Sequence, residues 1–127
     1  MDDFKYFSWS EFDCQSGKGE AIKYMDKDFI CLLDDARGIA GVPFNITSGY
    51  RTPEYNKALQ EEGYKTSKTS SHVKGLAADI SANDSATRFK IITALMIVGI
   101  NRIGVGNTFI HCDVDKDKTE QIIWTYY

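Results

Sequence analysis

The stretch "SSHVKGLAADI", residues 70–80, decides how the rest of the chain is read. It puts His72, one of only two histidines, in a polar approach, and seven residues later it puts Asp79 inside the apolar run "GLAADI". A short apolar run of this kind predicts a β-strand over "GLAADIS". A lone carboxylate is costly to bury there, so Asp79 calls for a partner or a metal ion. The other histidine, His111, lies in "FIHCDVD", a second strand-like run. His72, Asp79 and His111 are of the types that bind zinc, and a catalytic zinc typically keeps three protein ligands. Residues two apart on a strand share a face, so Asp113 stands beside His111 while Cys112 points away. Asp113 would then orient His111 or take a proton from an activated water. The residues alone leave a plainer alternative open, in which His72 is a solvated loop residue and His111 a hydrogen-bonded core residue.

The segments around these strands read mostly as helices. In "MDKDFICLLDDARGIAG", Phe29, Leu32, Leu33, Ala36 and Ala40 form one apolar stripe, with Asp26 as start and Gly41 as stop. "TPEYNKALQEEG" follows with Thr52 as cap, Pro53 at the first helical position and Gly63 at the end. "DSATRFKIITALMIVG" is a third helix, with Phe89, Ile92 and Met96 on one face. Ser8 or Ser10 caps a short helix near the N-terminus, "CQSGKGE" and "YKTSKTSS" are loops, and "FNITSGY" is a strand entering a turn. "RIGVG" and "QIIWTYY" supply further short strands. The pattern predicts an α+β fold with a small antiparallel sheet flanked by about three helices, in one domain over residues 1–127.

Composition narrows the function. The net charge of −3 gives no support to a nucleic-acid surface. Phosphate-loop and dinucleotide glycine patterns are absent. The longest apolar run, "IITALMIVGI", is about half the ~20 residues needed to span a bilayer. The acidic, aromatic N-terminus lacks the features of a signal peptide, so synthesis in a cytoplasm is expected. Three cysteines do not suggest a disulfide framework: Cys31 reads as a small core residue and Cys14 as an exposed loop residue.

Ser70, His72, Gly75, Ala77 and Asp79 fall in register with the Ser-x-His-x-x-Gly-x-Ala-x-Asp signature of the zinc D-Ala-D-Ala carboxypeptidase family. "ITSGYRTPEYN" resembles that family's Ser-Gly-Tyr-Arg element, and "GVGNTFIHCDVD" with "IIWTYY" resembles its closing His-x-Asp and tryptophan strand. The resemblance runs over roughly residues 4–127 and is best to the compact branch, with a hedgehog-like fold. It implies one zinc ion per chain, bound by His72, Asp79 and His111, whose charge would answer that of Asp79. It implies that Arg51 contacts the substrate near the scissile bond, where its planar fork suits a carboxylate or oxyanion. Ser70, Tyr50 and Ser48 are implied as substrate-binding residues, Trp124 as core or cleft wall, and Gly75 and Ala77 as small residues letting the chain pass close to the site.

The chain departs from the family at one position. Several branches place Glu or Asp, as general base, three residues before the last histidine ligand, where this chain has Thr108. Asp113 is the nearest replacement. Asp115 has the same parity but reads as solvated, and Phe109 stands where some relatives place an oxyanion-stabilising histidine. The implied function is a zinc metallopeptidase, a D,D-carboxypeptidase or endopeptidase, cutting a D-Ala-D-Ala type bond of peptidoglycan. A monomeric, endolysin-like phage or prophage protein that reaches the bacterial cell wall is the expected setting. Two alternatives stand beside it: a zinc-stabilised peptidoglycan-binding module without turnover, as in hedgehog domains, and an L-Ala-D-Glu endopeptidase.

Overall fold

The computed structural model describes residues 3–15, 17–64 and 70–127. The polar loop expected over 64–71 falls, at 65–69, outside the described residues, as does residue 16 in the expected 14–20 loop. A 3-10 turn at Trp9–Phe12 leads to α1 (Ala21–Tyr24), α2 (Lys27–Ala40), β1 (Ile46–Ser48), α3 (Pro53–Glu61), β2 (Ala77–Ser81), α4 (Ser85–Ile97), β3 (Arg102–Val105), β4 (Phe109–Asp113) and β5 (Ile122–Thr125). The caps at Asp26, Thr52 and Gly41 are those expected from the sequence, and Asp84 adds one that was not. Asp26, Thr52 and Asp84 accept from the backbone N–H groups of Phe29, Tyr55 and Thr87, and Gly41 closes α2 with φ 70°. No helix among the described residues is long and apolar enough to cross a membrane.

The five strands form one sheet in the order β1-β2-β4-β3-β5. Three of its pairings are antiparallel as expected, but β5 runs parallel to β3, so the sheet is mixed. The reason is edge availability. β4 is already paired on both sides, by β2 and β3, so β5 can only join at an edge of the sheet, and it takes that of β3. Running antiparallel to β4 there makes it parallel to β3.

One face of the sheet packs on α2 and α4. Ala78 and Ile80 of β2, Ile103 of β3, and Ile110 and Cys112 of β4 meet Phe29, Ile30, Leu33 and Ala36 of α2 and Ile91, Ala94 and Leu95 of α4. Strand alternation then sends Asp79, Phe109, His111 and Asp113 to the opposite face.

Four expectations need correction. Of the stripe expected to hold α4, Ile92 packs partly on the core, but Phe89 and Met96 face outward, 71% and 56% exposed, and Ile91, Ala94 and Leu95 pack instead. Cys14 is buried, in a β-bridge with Gly17. Asp115 is 1% exposed rather than solvated. Gly75 answers to the α1–α2 link and not to the site: at φ 74°, a Cβ would stand 2.0 Å from the Tyr24 carbonyl oxygen.

Candidate metal centre

β2 and β4 pair in a register that sets Asp79 directly opposite His111, so the two side chains rise together from the sheet. His72 arrives from the turn before β2. Its loop is tied to the segment after β1, where the Arg51 N–H donates to the His72 carbonyl at 3.2 Å. His72 Nδ1 lies 2.8 Å from the Gly49 carbonyl oxygen. Gly49 is required at that crossing, since a Cβ would meet the Phe12 backbone at 2.7 Å. The turn chemistry of "SGYR" therefore aims the first histidine.

The inner nitrogens converge on one oxygen. His72 Nε2 is 3.3 Å and His111 Nδ1 2.9 Å from Asp79 Oδ1. The potential ligand atoms of the three residues all lie within 4.8 Å of one another. Each outer nitrogen faces an acceptor: the Gly49 carbonyl for His72, and Asp113 Oδ2, at 2.7 Å, for His111. A proton placed on each outer nitrogen leaves the inner lone pair for a metal. Two imidazoles and a carboxylate, buried or half-buried and converging in this way, fit a zinc ion.

The electrostatics favour an ionised Asp79 and a neutral His72, while at His111 the two carboxylates favour a proton that a metal ion would have to displace. Burial pushes the Asp79 carboxyl up, but His72 and His111 outweigh it and hold it well below the usual carboxylate range. Burial lowers the His72 pKa. Burial also acts to lower that of His111, yet hydrogen bonds to Asp113 and Asp79 raise it. Asp113 is 1% exposed and lowered against its own burial, chiefly by its bond to His111. Both its oxygens are engaged, because Oδ1 accepts from Arg102 Nε at 2.7 Å and from the Asp115 N–H at 3.1 Å.

An open cleft of about 950 Å³ surrounds the cluster. Arg51 lines it, 3.6 Å from Asp79 Oδ2, and donates Nε to Ser48 Oγ at 3.0 Å and Nη1 to Asn56 Oδ1 at 3.4 Å. Ser48 and Ser70 also line the cleft, and Ser70 Oγ accepts from the His72 N–H at 3.3 Å. Tyr50 does not join them: it is buried and stacks on Tyr24 at 5.2 Å. Thr108 and Phe109 form part of the wall, and Trp124 is cleft wall rather than core.

Arg102, Lys118 and Tyr126 line the same cleft and had not been singled out from the sequence. The available signal was the alternation Gly104-Val105-Gly106. A Cβ on Gly104 would meet Tyr126 at 2.6 Å and Trp124 at 2.8 Å, and one on Gly106 would meet Phe109 at 2.1 Å. The two glycines thus clear a floor on which three aromatic rings fold in beside His111. Burial pushes the Tyr126 phenol up to about 12, so it stays protonated.

A family model described as Peptidase M15 matches residues 5–113. No curated protein matches the chain in sequence. Among solved structures, the L-Ala D-Glu endopeptidase ChiX of Serratia marcescens resembles it with a TM-score of 0.61 at 17% identity, over 74% of this chain and 83% of that one. At that identity the likeness is one of fold.

Proposed function

The chain belongs to the Peptidase M15 family, and from that premise we propose that it hydrolyses peptide bonds of peptidoglycan with one zinc ion held by His72, Asp79 and His111. The observation that carries the reading is the pair of pinned histidines, whose outer nitrogens are tied to Gly49 and Asp113 while their inner nitrogens meet Asp79. Bound there, zinc supplies Lewis acidity to the scissile carbonyl and to the attacking water. Arg51 stands across Asp79 with its guanidinium braced by Ser48 and Asn56, where it holds a substrate carboxylate or the developing oxyanion. Ser70 orders the backbone at His72 and offers a hydroxyl to the cleft.

Asp113 enters the proposal as a positioning residue. It fixes the tautomer and orientation of His111, and acting as general base would require releasing one oxygen from His111, Arg102 or the Asp115 N–H. Tyr50 enters only as packing behind the turn that carries Arg51.

The bond is of the D-Ala-D-Ala type or the L-Ala-D-Glu type named for the Serratia structure. The endolysin-like, phage-encoded setting rests on the resemblance alone. A second reading, a zinc-stabilised wall-binding module, is favoured by one observation: Thr108 replaces the acidic residue expected three positions before His111.

One experiment separates these readings. Zinc per chain is measured by mass spectrometry, and the same sample is incubated with purified peptidoglycan with and without a chelator. One zinc per chain and chelator-sensitive release of D-alanine or new peptide ends are expected, and the new termini identify the bond. One zinc without cleavage selects the binding module, and no zinc rejects the centre.

A further inference from the structure

The end of the cleft beyond Asp113 carries a second polar construction that the metal cluster does not use. Asp115, buried, accepts the Ser71 hydroxyl at 2.7 Å and the Lys74 ammonium at 3.1 Å. Ser71 spends its one proton on Asp115, so its oxygen accepts from Lys118 Nζ at 2.9 Å, and that ammonium also lies 3.6 Å from Asp115 Oδ2. A lysine ordinarily swings its ammonium into water. Here Lys118 is tied down as part of the cleft lining. An ammonium has three donors, and Ser71 takes one of them.

Arg102 lies at the same end. It donates to Asp113 and to the Thr119 carbonyl, and its guanidinium sits 4.9 Å over the Trp124 ring. At the other end of β4 the described lining residues Asn107 and Thr108 are uncharged side chains, with Arg88 behind them donating to the Asn107 carbonyl at 2.7 Å. Among the described residues, Arg102 and Lys118 thus stand together at the Asp113 end of the lining, while Arg51 stands at the metal cluster across Asp79.

We propose that Lys118, braced by Ser71 and Asp115, is a specificity-determining residue that reads a free carboxylate on the substrate peptide, on the side of the scissile bond lying towards Asp115. The inference rests on the hydrolase reading above and deepens it. Both bonds named there suit it, since a terminal D-alanine and a D-glutamate each carry a carboxylate on the residue that leaves. Its contact is a charge-assisted hydrogen bond to an ammonium already held in place, so little ordering is lost on binding.

The test uses pairs of synthetic stem peptides that differ only in a free carboxylate or a primary amide on the leaving residue. The zinc-loaded wild type prefers the acid by about tenfold to hundredfold in kcat/KM, carried mainly by KM. Lys118→Gln removes that preference with zinc content unchanged, and Lys118→Arg keeps most of it. A wild type that treats the two peptides alike overturns the proposal, as does a Lys118→Gln variant that retains the full preference. If the zinc-loaded wild type cleaves neither peptide, the hydrolase reading fails separately. Calorimetric titration of that same preparation with both peptides then decides: acid-selective binding abolished by Lys118→Gln supports the proposal, and equal binding overturns it.

Discussion

Replacing Asp113 by Asn keeps the shape of the side chain and removes one acceptor, which separates the two roles this residue can have. In the native protein Oδ2 accepts from His111 Nε2 at 2.7 Å, which leaves His111 Nδ1 as the lone pair facing Asp79. Oδ1 is bound by Arg102 Nε and the Asp115 N–H, both donors, so the single oxygen of Asn is drawn to that side. Its amide N–H₂ then faces His111 Nε2, which must accept. The imidazole proton moves to Nδ1, the atom required for the metal. Loss of such a supporting carboxylate lowers metal affinity by about tenfold to hundredfold, or about 1.4–2.7 kcal/mol. The fold loses a further ~1–3 kcal/mol, because the Arg102 guanidinium no longer meets a charge. The assay is a zinc competition titration against a chromophoric chelator, followed by peptide cleavage at saturating zinc. Weakened zinc binding with activity recovered at high zinc is expected. Unchanged zinc affinity in a folded variant that stays inactive at saturation would refute the reasoning and make Asp113 the base.

Two further predictions test the scaffold. Gly104→Ala forces a Cβ to within 2.6 Å of Tyr126 and 2.8 Å of Trp124, so these rings must shift. A stability loss of ~1–3 kcal/mol and altered tryptophan fluorescence are expected, and a variant as stable as wild type with the same spectrum shows that the rings do not rest on β3. Asp115 gives a pH signature. Burial raises its pKa, but the bonds from Ser71 and Lys74 outweigh it and depress the folded-state value below 3.8. Its contribution is therefore present above the unfolded-state pKa and disappears as pH falls through the depressed one. Denaturant titrations from pH 5 downwards should show wild type losing stability below about pH 4, with a flatter decline in Asp115→Asn. Parallel profiles would mean the buried carboxylate is not linked to folding.

Several features could be read locally. Helix starts at Asp26, Thr52 and Asp84 follow from short side chains that accept a backbone N–H within three residues. The opposed faces of Cys112 and of the pair His111 and Asp113 follow from the two-residue period of any strand. Other readings failed where a choice depended on distant segments. α4 offers two apolar stripes of acceptable spacing, and only packing on α2 selects Ile91, Ala94 and Leu95. Asp115 looked solvated because its partners Ser71 and Lys74 lie some forty residues earlier. The direction of β5 depended on which edge of the sheet it joined.

By itself the sequence determined the donor types, the strand parity at His111 and the turn that carries Arg51. Each depends on covalent spacing and on backbone geometry within a few residues. Only the tertiary structure decided that Asp79 and His111 sit side by side, that Gly49 and Asp113 pin the two imidazoles, and that Lys118 is held in the cleft wall. Those facts depend on strand register and on hydrogen bonds between segments far apart in the chain, and no local period encodes them.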